Sequence, residues 1–349
     1  MLYSPDEIKE QTRRLWRTCF HDTDDFIDIY FNEKYSHDTN LTIRHEGRVV
    51  AATQLLPYRL TFYGMVTRMG YISGLATLPE YRRKGYAAYL LHEAHRRLYR
   101  QGATLAMLIP GDDDLRHFYE KPQNGAYWTS NYRRVMPIDI SEDGPTDKIE
   151  VTRPDEWHSS LYVFYRQLTR QLPFMVHPSE DDFFAALEAV DLEGDNGYTL
   201  VARRKGRLVG LCVAVKEADG RVYIRTLAIN EACVRAAFVK YLCQACHTDC
   251  VYRRYVVPGA TKDVTPYAMA RVINVERFLS LVATPNPDFQ LHIGIDGDMH
   301  IPENNGYYLV QGGRVQLTDK KPDSIITPGG LAAMFMAAQP MVIDLMLDE

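Results

Sequence analysis

Residues 75–91 read LATLPEYRRKGYAAYLL: an apolar run, a proline, three cations and a glycine, then the opening of a helix. A strand ending near Thr77 or Leu78, followed by Arg82, Arg83, Lys84 and Gly85, turns the free first-turn amides and positive dipole end of that helix toward any anion in the turn. Glycine lets the backbone approach closely, and Ala87 and Ala88 keep the first turn uncrowded. The fitting guest is a pyrophosphate, with the three cations adding charge-assisted contacts or shaping the local field. Basic residues before a helix are as often simply solvated, so the neighbourhood has to decide.

Upstream, Ser4-Pro5-Asp6-Glu7 has the form of an N-cap with proline at the first helical position, and HDTDDFIDIYFNEKY predicts a second helix. LTIRHEGRVVAATQLLPYRLTFYG alternates around Glu46-Gly47 as a hairpin does. MGYISGLATL reads as a strand, residues 86–100 as a helix and TLAMLIP as a fully apolar, buried strand. This alternation predicts an α/β domain. Residues 137–157, PIDISEDGPTDKIEVTRPDEW, are polar and turn-rich and predict a linker, with a boundary near 145.

Beyond it, RRKGRLVGLCVAVKEADGRVYIRTLAI echoes the first hairpin and strand. Leu227-Ala228-Ile229 followed by Ala236-Ala237-Phe238 parallels Leu75-Ala76-Thr77 followed by Ala87-Ala88-Tyr89, through a shorter loop with neither glycine nor the Arg-Arg-Lys run. If the first copy binds an anion at this turn, the second has lost the means. From about Pro266 a third, small α+β unit follows: MARVINVERFLSLV as a helix, two hairpin-like stretches, and GGLAAMFMAA opening a closing helix. The expected domains are 1–145, 146–262 and 263–349.

The 349 residues are too many for one ordinary core, and 46% hydrophobic content suits sizeable ones. A net charge of -5 and a pI near 6.1 give no global footprint for nucleic acid. The N-terminus lacks a signal-peptide pattern and no long apolar run predicts a membrane span, so the expected location is cytoplasmic. LCQACHTDC places Cys243, Cys246, His247 and Cys250 along one face of a continued helix, a geometry that cannot wrap a zinc ion, so reduced, largely buried cysteines and no metal are expected. The aspartates of HDTDDFID could attract a cationic amine, and read equally well as caps and solvated positions.

FYEK, with Tyr119, follows DDDLRH after the buried strand. In this order the segments resemble the GNAT superfamily of N-acetyltransferases. The resemblance implies that Arg83, Lys84, Gly85, Tyr86, Ala87 and Ala88 surround the pyrophosphate of acetyl-CoA, the co-substrate, and that the backbone of Leu75, Ala76 and Thr77 lines its acetyl-pantetheine arm. It also implies that Tyr119 donates a proton to the departing thiolate, as a phenol with a pKa of about 10 can. Glu120-Lys-Pro-Gln-Asn-Gly-Ala-Tyr127 departs from the usual ending after that tyrosine, so the adjoining loop has its own shape.

The three-part layout is similar to the enhanced-intracellular-survival (Eis) type: an active N-terminal GNAT domain, a degenerate second GNAT-like domain and a C-terminal α+β domain of the sterol carrier protein fold. By that likeness the terminal carboxylate, here on Glu349, is a general base, and the chain forms a homo-oligomer, a hexamer in the family. The implied reaction is direct acetyl transfer to a primary amine, on an aminoglycoside-like molecule, a polyamine or a lysine. Two alternatives stand beside it: a non-catalytic protein holding an apolar ligand in its C-terminal unit, and an acyltransferase for longer acyl-CoA.

Overall fold

The structure, a computed structural model, describes residues 4–259, 262–339 and 341–345. In chain order the first elements are α1 (Pro5–Cys19), α2 (Asp24–Ile29) with a π-type turn at Tyr30–Lys34, β1 (Asn40–His45), β2 (Arg48–Phe62), β3 (Met65–Thr77), α3 (Tyr86–Arg100), β4 (Leu105–Leu108), α4 (Asp113–Glu120), β5 (Trp128–Thr129) and β6 (Tyr132–Pro137). Next come β7 (Glu150–Thr152), α5 (Ser159–Thr169), β8 (Phe174–His177), α6 (Glu180–Asp191), β9 (Gly197–Arg204), β10 (Arg207–Lys216), β11 (Val222–Ile229), α7 (Ala232–Cys246) and β12 (Val251–Val257). The last third holds β13 (Thr265–Pro266), β14 (Met269–Val272), α8 (Val275–Ala283), β15 (Leu291–Ile295), β16 (Gly306–Gln311), β17 (Arg314–Thr318), β18 (Ile325–Ile326) and α9 (Pro328–Met336).

Local chemistry accounts for many boundaries. Ser4 and Glu7 form a reciprocal capping box at α1, with Pro5 in the first turn. Glu46 and Gly47 both adopt positive φ, which is what a two-residue hairpin between β1 and β2 requires. The second predicted helix is α-helical only to Ile29 before it widens into the π turn.

The described residues form three sheets. The first runs β1-β2-β3-β4-β14-β5 with β8 also paired to β2, the second β13-β6-β12-β11-β10-β9-β7, and the third β17-β16-β15-β18. Strands therefore cross the expected boundaries: β6 lies in the second sheet, while β8 and β14 complete the first. The second sheet repeats the order of the first, since β9, β10 and β11 are antiparallel neighbours and α7 crosses to β12, parallel to β11.

Three sequence expectations are corrected. MARVINVERFLSLV is not one helix, because Met269–Val272 form β14 between β4 and β5 and α8 begins only at Val275, capped by Asn274. Residues 137–157 are not a free linker, because β7 pairs with β9 and buried Asp143 forms an ion pair with Arg235 of α7. The cysteine stretch is not one helix face: α7 stops at Cys246, His247 takes a left-handed cap (φ 52°), and Cys250 lies beyond the helix end. Among the described residues no group of His, Cys, Asp or Glu is arranged to hold a metal ion, and no helix is long and apolar enough to cross a membrane.

One face of the first sheet, with Leu55, Ile72 and Leu108, packs under α3 and α4. The opposite face, with Leu56, Leu60, Phe62, Met69 and Tyr71, is covered by Phe278 and Leu279 of α8 and Leu331 and Phe335 of α9. Third-unit helices thus supply half of the first sheet's core.

Candidate active site

β3 and β4 run parallel and stay hydrogen-bonded only from Met69↔Leu105 to Tyr71↔Met107. Beyond that, β3 continues to Thr77 with β2 as its partner, while β4 ends at Leu108. The two strands part, and the β3 edge from Ile72 onward carries backbone groups with no ladder partner on that side among the described residues. A bulge sharpens the departure: Ala52 faces Ala76 and Gln54 faces Ser73, so Thr53 opposes two residues, Gly74 and Leu75. Gly74 sits at φ 57° against Trp16, where an added Cβ would lie 2.1 Å from the indole. Thr53 Oγ1 donates to Ser73 O at 2.9 Å and steadies the bulge. Leu75, Ala76 and Thr77 form this released edge.

The turn after β3 leads into α3 as expected. Gly85 is the N-cap at φ 80° and contributes no side-chain cap; the helix's first bond is Tyr89 N–H to Gly85 O at 3.0 Å. The amides of Tyr86, Ala87 and Ala88 are therefore left to water or a ligand. Ser4, Thr23, Asp112, Ser179, Asn274 and Thr327 cap their own helices, whereas His158 of α5 and Glu231 of α7, like Gly85, supply no side-chain cap. Space in front of Gly85 is open, for an added Cβ meets nothing within 4 Å. Arg82 folds back, its Nε donating to Thr77 O at 3.2 Å, and Lys84 lies over the Tyr81 ring at 4.6 Å. Arg83 is exposed, with φ 63°. At the matching start of α7 stands Glu231, a carboxylate paired with Arg204. The α3 N-cap, Gly85, carries no side chain at the corresponding position.

Tyr119 lies on α4, whose N-cap Asp112 accepts from Leu115 N–H at 2.7 Å. Its ring is buried in one apolar cluster with Leu91 and Ala94 of α3 and Ile72 of β3, and Leu75 packs against the same cluster. The tyrosine, the released edge and the helix below the turn thus share one core. Burial, and secondarily the Asp112 carboxylate, push the phenol well above its ordinary value. It stays protonated across neutral pH, as a donor must. Glu349 lies outside the described residues.

Three of the four aspartates before and within α2 are engaged: Asp22 accepts from Trp16 Nε1, while Asp24 and Asp28 pair with Arg17 and Arg13. A cavity of about 640 Å³ opens elsewhere, lined by Arg133, Phe174, Arg254, Tyr267 and Ile343 among others. Its lining includes no residue of the turn at 82–88.

Sequence reading passed over a buried polar cluster behind Tyr119, made of His95, Tyr127, Arg271, Asp298 and His300. A histidine on the apolar face of α3, between Leu91 and Leu98, is the signal that could have found it.

Residues 3–122 match the family described as the acetyltransferase (GNAT) domain. No curated protein matches the chain. Among solved structures, a GCN5-related N-acetyltransferase from Anabaena variabilis ATCC 29413 has 17% identity and TM-score 0.71, over 96% of this chain and 88% of that one. Eis1 from Mycobacterium abscessus has 13% identity and TM-score 0.73 with the same coverage. A probable N-acyltransferase from Enterococcus faecalis V583 has 16% identity and TM-score 0.71, over 95% and 88%. At these identities the likeness establishes the fold. Residues 3–122 thus match a GNAT-type acetyltransferase domain, within a mixed α/β fold that these solved structures share along most of their length.

Proposed function

We propose that this protein transfers the acetyl group of acetyl-CoA to a primary amine by direct attack. The observation that carries the reading is the uncapped start of α3 at Gly85, set beside the point where β3 and β4 part. In this assignment the amides of Gly85 to Ala88, with Arg83 and Lys84, hold the pyrophosphate. The released edge at Leu75, Ala76 and Thr77 supports the pantetheine arm, as an added strand would.

The unprotonated amine attacks the thioester carbonyl carbon and the carbon–sulfur bond breaks. The nitrogen's surplus proton goes to a carboxylate or to water, and Tyr119 gives its proton to the leaving thiolate before being recharged from solvent. Glu349 is the proposed base, through its terminal carboxylate. Supporting it, Val342 bridges Met175 in parallel, so the chain there runs with β8 and hence with β3, toward the end where the strands part. Appending a few residues after Glu349 is expected to abolish turnover and spare acetyl-CoA binding; full activity would refute that role.

The polyamine or aminoglycoside-like acceptor class, the Eis-type assignment, the domain divisions and the homo-oligomer are parts of the same proposal. The sterol-carrier reading of the last third rests on its four-stranded sheet with α8 and α9. The test is CoA release from acetyl-CoA with a panel of polyamines and aminoglycosides. Tyr119→Phe should lower kcat about 10²-fold with little change in CoA affinity. Absence of CoA binding by calorimetry would end the enzymatic reading.

A further inference from the structure

The loop between Tyr119 and Tyr127 is the part of the first domain that departs from the family pattern, and it is held from outside. Gly125 and Ala126 both adopt positive φ, 109° and 51°, a conformation an alanine keeps only when its surroundings impose it. Arg271 Nη1 donates to Gly125 O at 2.8 Å, and His300 Nε2 meets Gln123 O at 3.1 Å. The backbone of α9 presses on the same place: a Cβ on Gly329 would lie 2.0 Å from Ala126 O. All three contacts come from the last third of the chain.

The hydrogen bonds have one consistent polarity. Gln123 O can only accept, so His300 carries its proton on Nε2 and its Nδ1 accepts. His95 Nδ1, 2.7 Å from that nitrogen, must then donate. His95 Nε2 is left as acceptor, and Tyr127 Oη donates to it at 2.8 Å. Asp298 fixes the far end, accepting from His300 N–H at 3.2 Å and from Arg271 Nη2 at 2.6 Å. At the near end, Tyr127 N–H donates to Tyr119 O at 3.0 Å, and the two rings meet edge to face at 5.9 Å.

We infer that the C-terminal third clamps the 121–127 loop through His300 and Arg271, and that His300, His95 and Tyr127 are positioning residues for Tyr119. This rests on the reading of Tyr119 as proton donor. The last third then acts on the acetyl centre as a brace, whatever else it holds.

Hydrogen–deuterium exchange and kinetics on the full chain test it together. In His300→Ala, exchange at amides 121–127 should rise about tenfold while α7 amides keep their rates. With the best acceptor of the amine panel, kcat should fall about tenfold and KM for acetyl-CoA stay within about twofold. His300→Gln, which can donate to Gln123 O and accept from His95, should recover most of the loss. Should His300→Ala not fold, Tyr127→Phe, lacking only the hydroxyl, carries the same prediction with a smaller change. Because the clamp acts through Tyr119, the double variant Tyr119→Phe/His300→Ala should be no slower than Tyr119→Phe alone. Unchanged loop exchange, or losses that multiply in the double variant, would overturn the inference. Full activity in Tyr119→Phe would instead remove the donor reading and the positioning role with it, a result told apart because the loop exchange would still respond.

Discussion

At the scale of single residues, Gly85 and His300 make opposite demands. Gly85 matters by what it lacks: at φ 80°, with open space in front, it gives the first α3 amides no side-chain cap. Gly85→Ala should cost about 1 kcal/mol from the left-handed backbone alone and change CoA affinity only a few-fold. Gly85→Asp meets the same backbone cost but sets a carboxylate where the pyrophosphate would sit. CoA binding by calorimetry should weaken at least about tenfold more than in the alanine variant; equal affinities in the two would show that the anion sits elsewhere. His300 is required as a neutral ring. Burial first, then the Arg271 guanidinium and His92, pull it from 6.5 down to about 4, against the opposing pull of Gln123 O and Asp298. His95 is driven in the same direction by burial and by Arg271, His300 and His92. The unfolded chain therefore binds more protons than the folded one below pH 6.5, so this stability is complete above that value and drains away as pH falls from 6.5 through about 4. Urea midpoints measured between pH 7 and 4.5 should fall more steeply in the parent protein than in His300→Gln. Parallel slopes would mean that His300 titrates normally.

At the scale of elements, legibility followed the physics of boundaries. The span of α3 was readable because Gly85, the cations and the apolar spacing all agree. The end of α7 was not, because His247 terminates it in a left-handed conformation that sequence associates with glycine or asparagine. Nor was β7 readable, since a three-residue edge strand inside a polar stretch owes its existence to β9 rather than to its own pattern. The bulge in β3 was equally hidden: Gly74 is one glycine in a strand, and only the approach of Trp16 explains it. Gly74→Ala must move that buried indole as well as strain the backbone, so a loss of about 2–4 kcal/mol in denaturant unfolding is expected. The released edge moves with the bulge, and the KM for acetyl-CoA should rise. A variant as stable as the parent would mean that the bulge can rearrange cheaply.

At the scale of the molecule, the sequence texture suggested three units and gave no sign of the interleaving of their strands, because strand exchange between distant segments leaves no local periodicity. β14 sits between β4 and β5, β8 extends the edge of β2, and Lys34 forms a buried ion pair with Asp182 of α6. The consequence concerns folding. A fragment ending at residue 145 would lack β14 and β8 and would expose Leu56, Leu60, Phe62, Met69 and Tyr71, which α8 and α9 cover in the whole chain. Each such side chain, left in water, forfeits roughly 1.5–3 kcal/mol, and the uncovered strand edges invite association. Five of them forfeit about 7.5–15 kcal/mol, as much as the whole stability of an ordinary domain, about 5–15 kcal/mol. Residues 1–145 expressed alone should therefore be aggregated or unfolded by circular dichroism and size-exclusion chromatography. Adding residues 263–349 in trans should not restore them, because β8 and α6 come from the middle of the chain. A monomeric 1–145 fragment with native-like thermal unfolding would show instead that the acetyltransferase domain stabilises itself, and that the strands added from later segments are decoration.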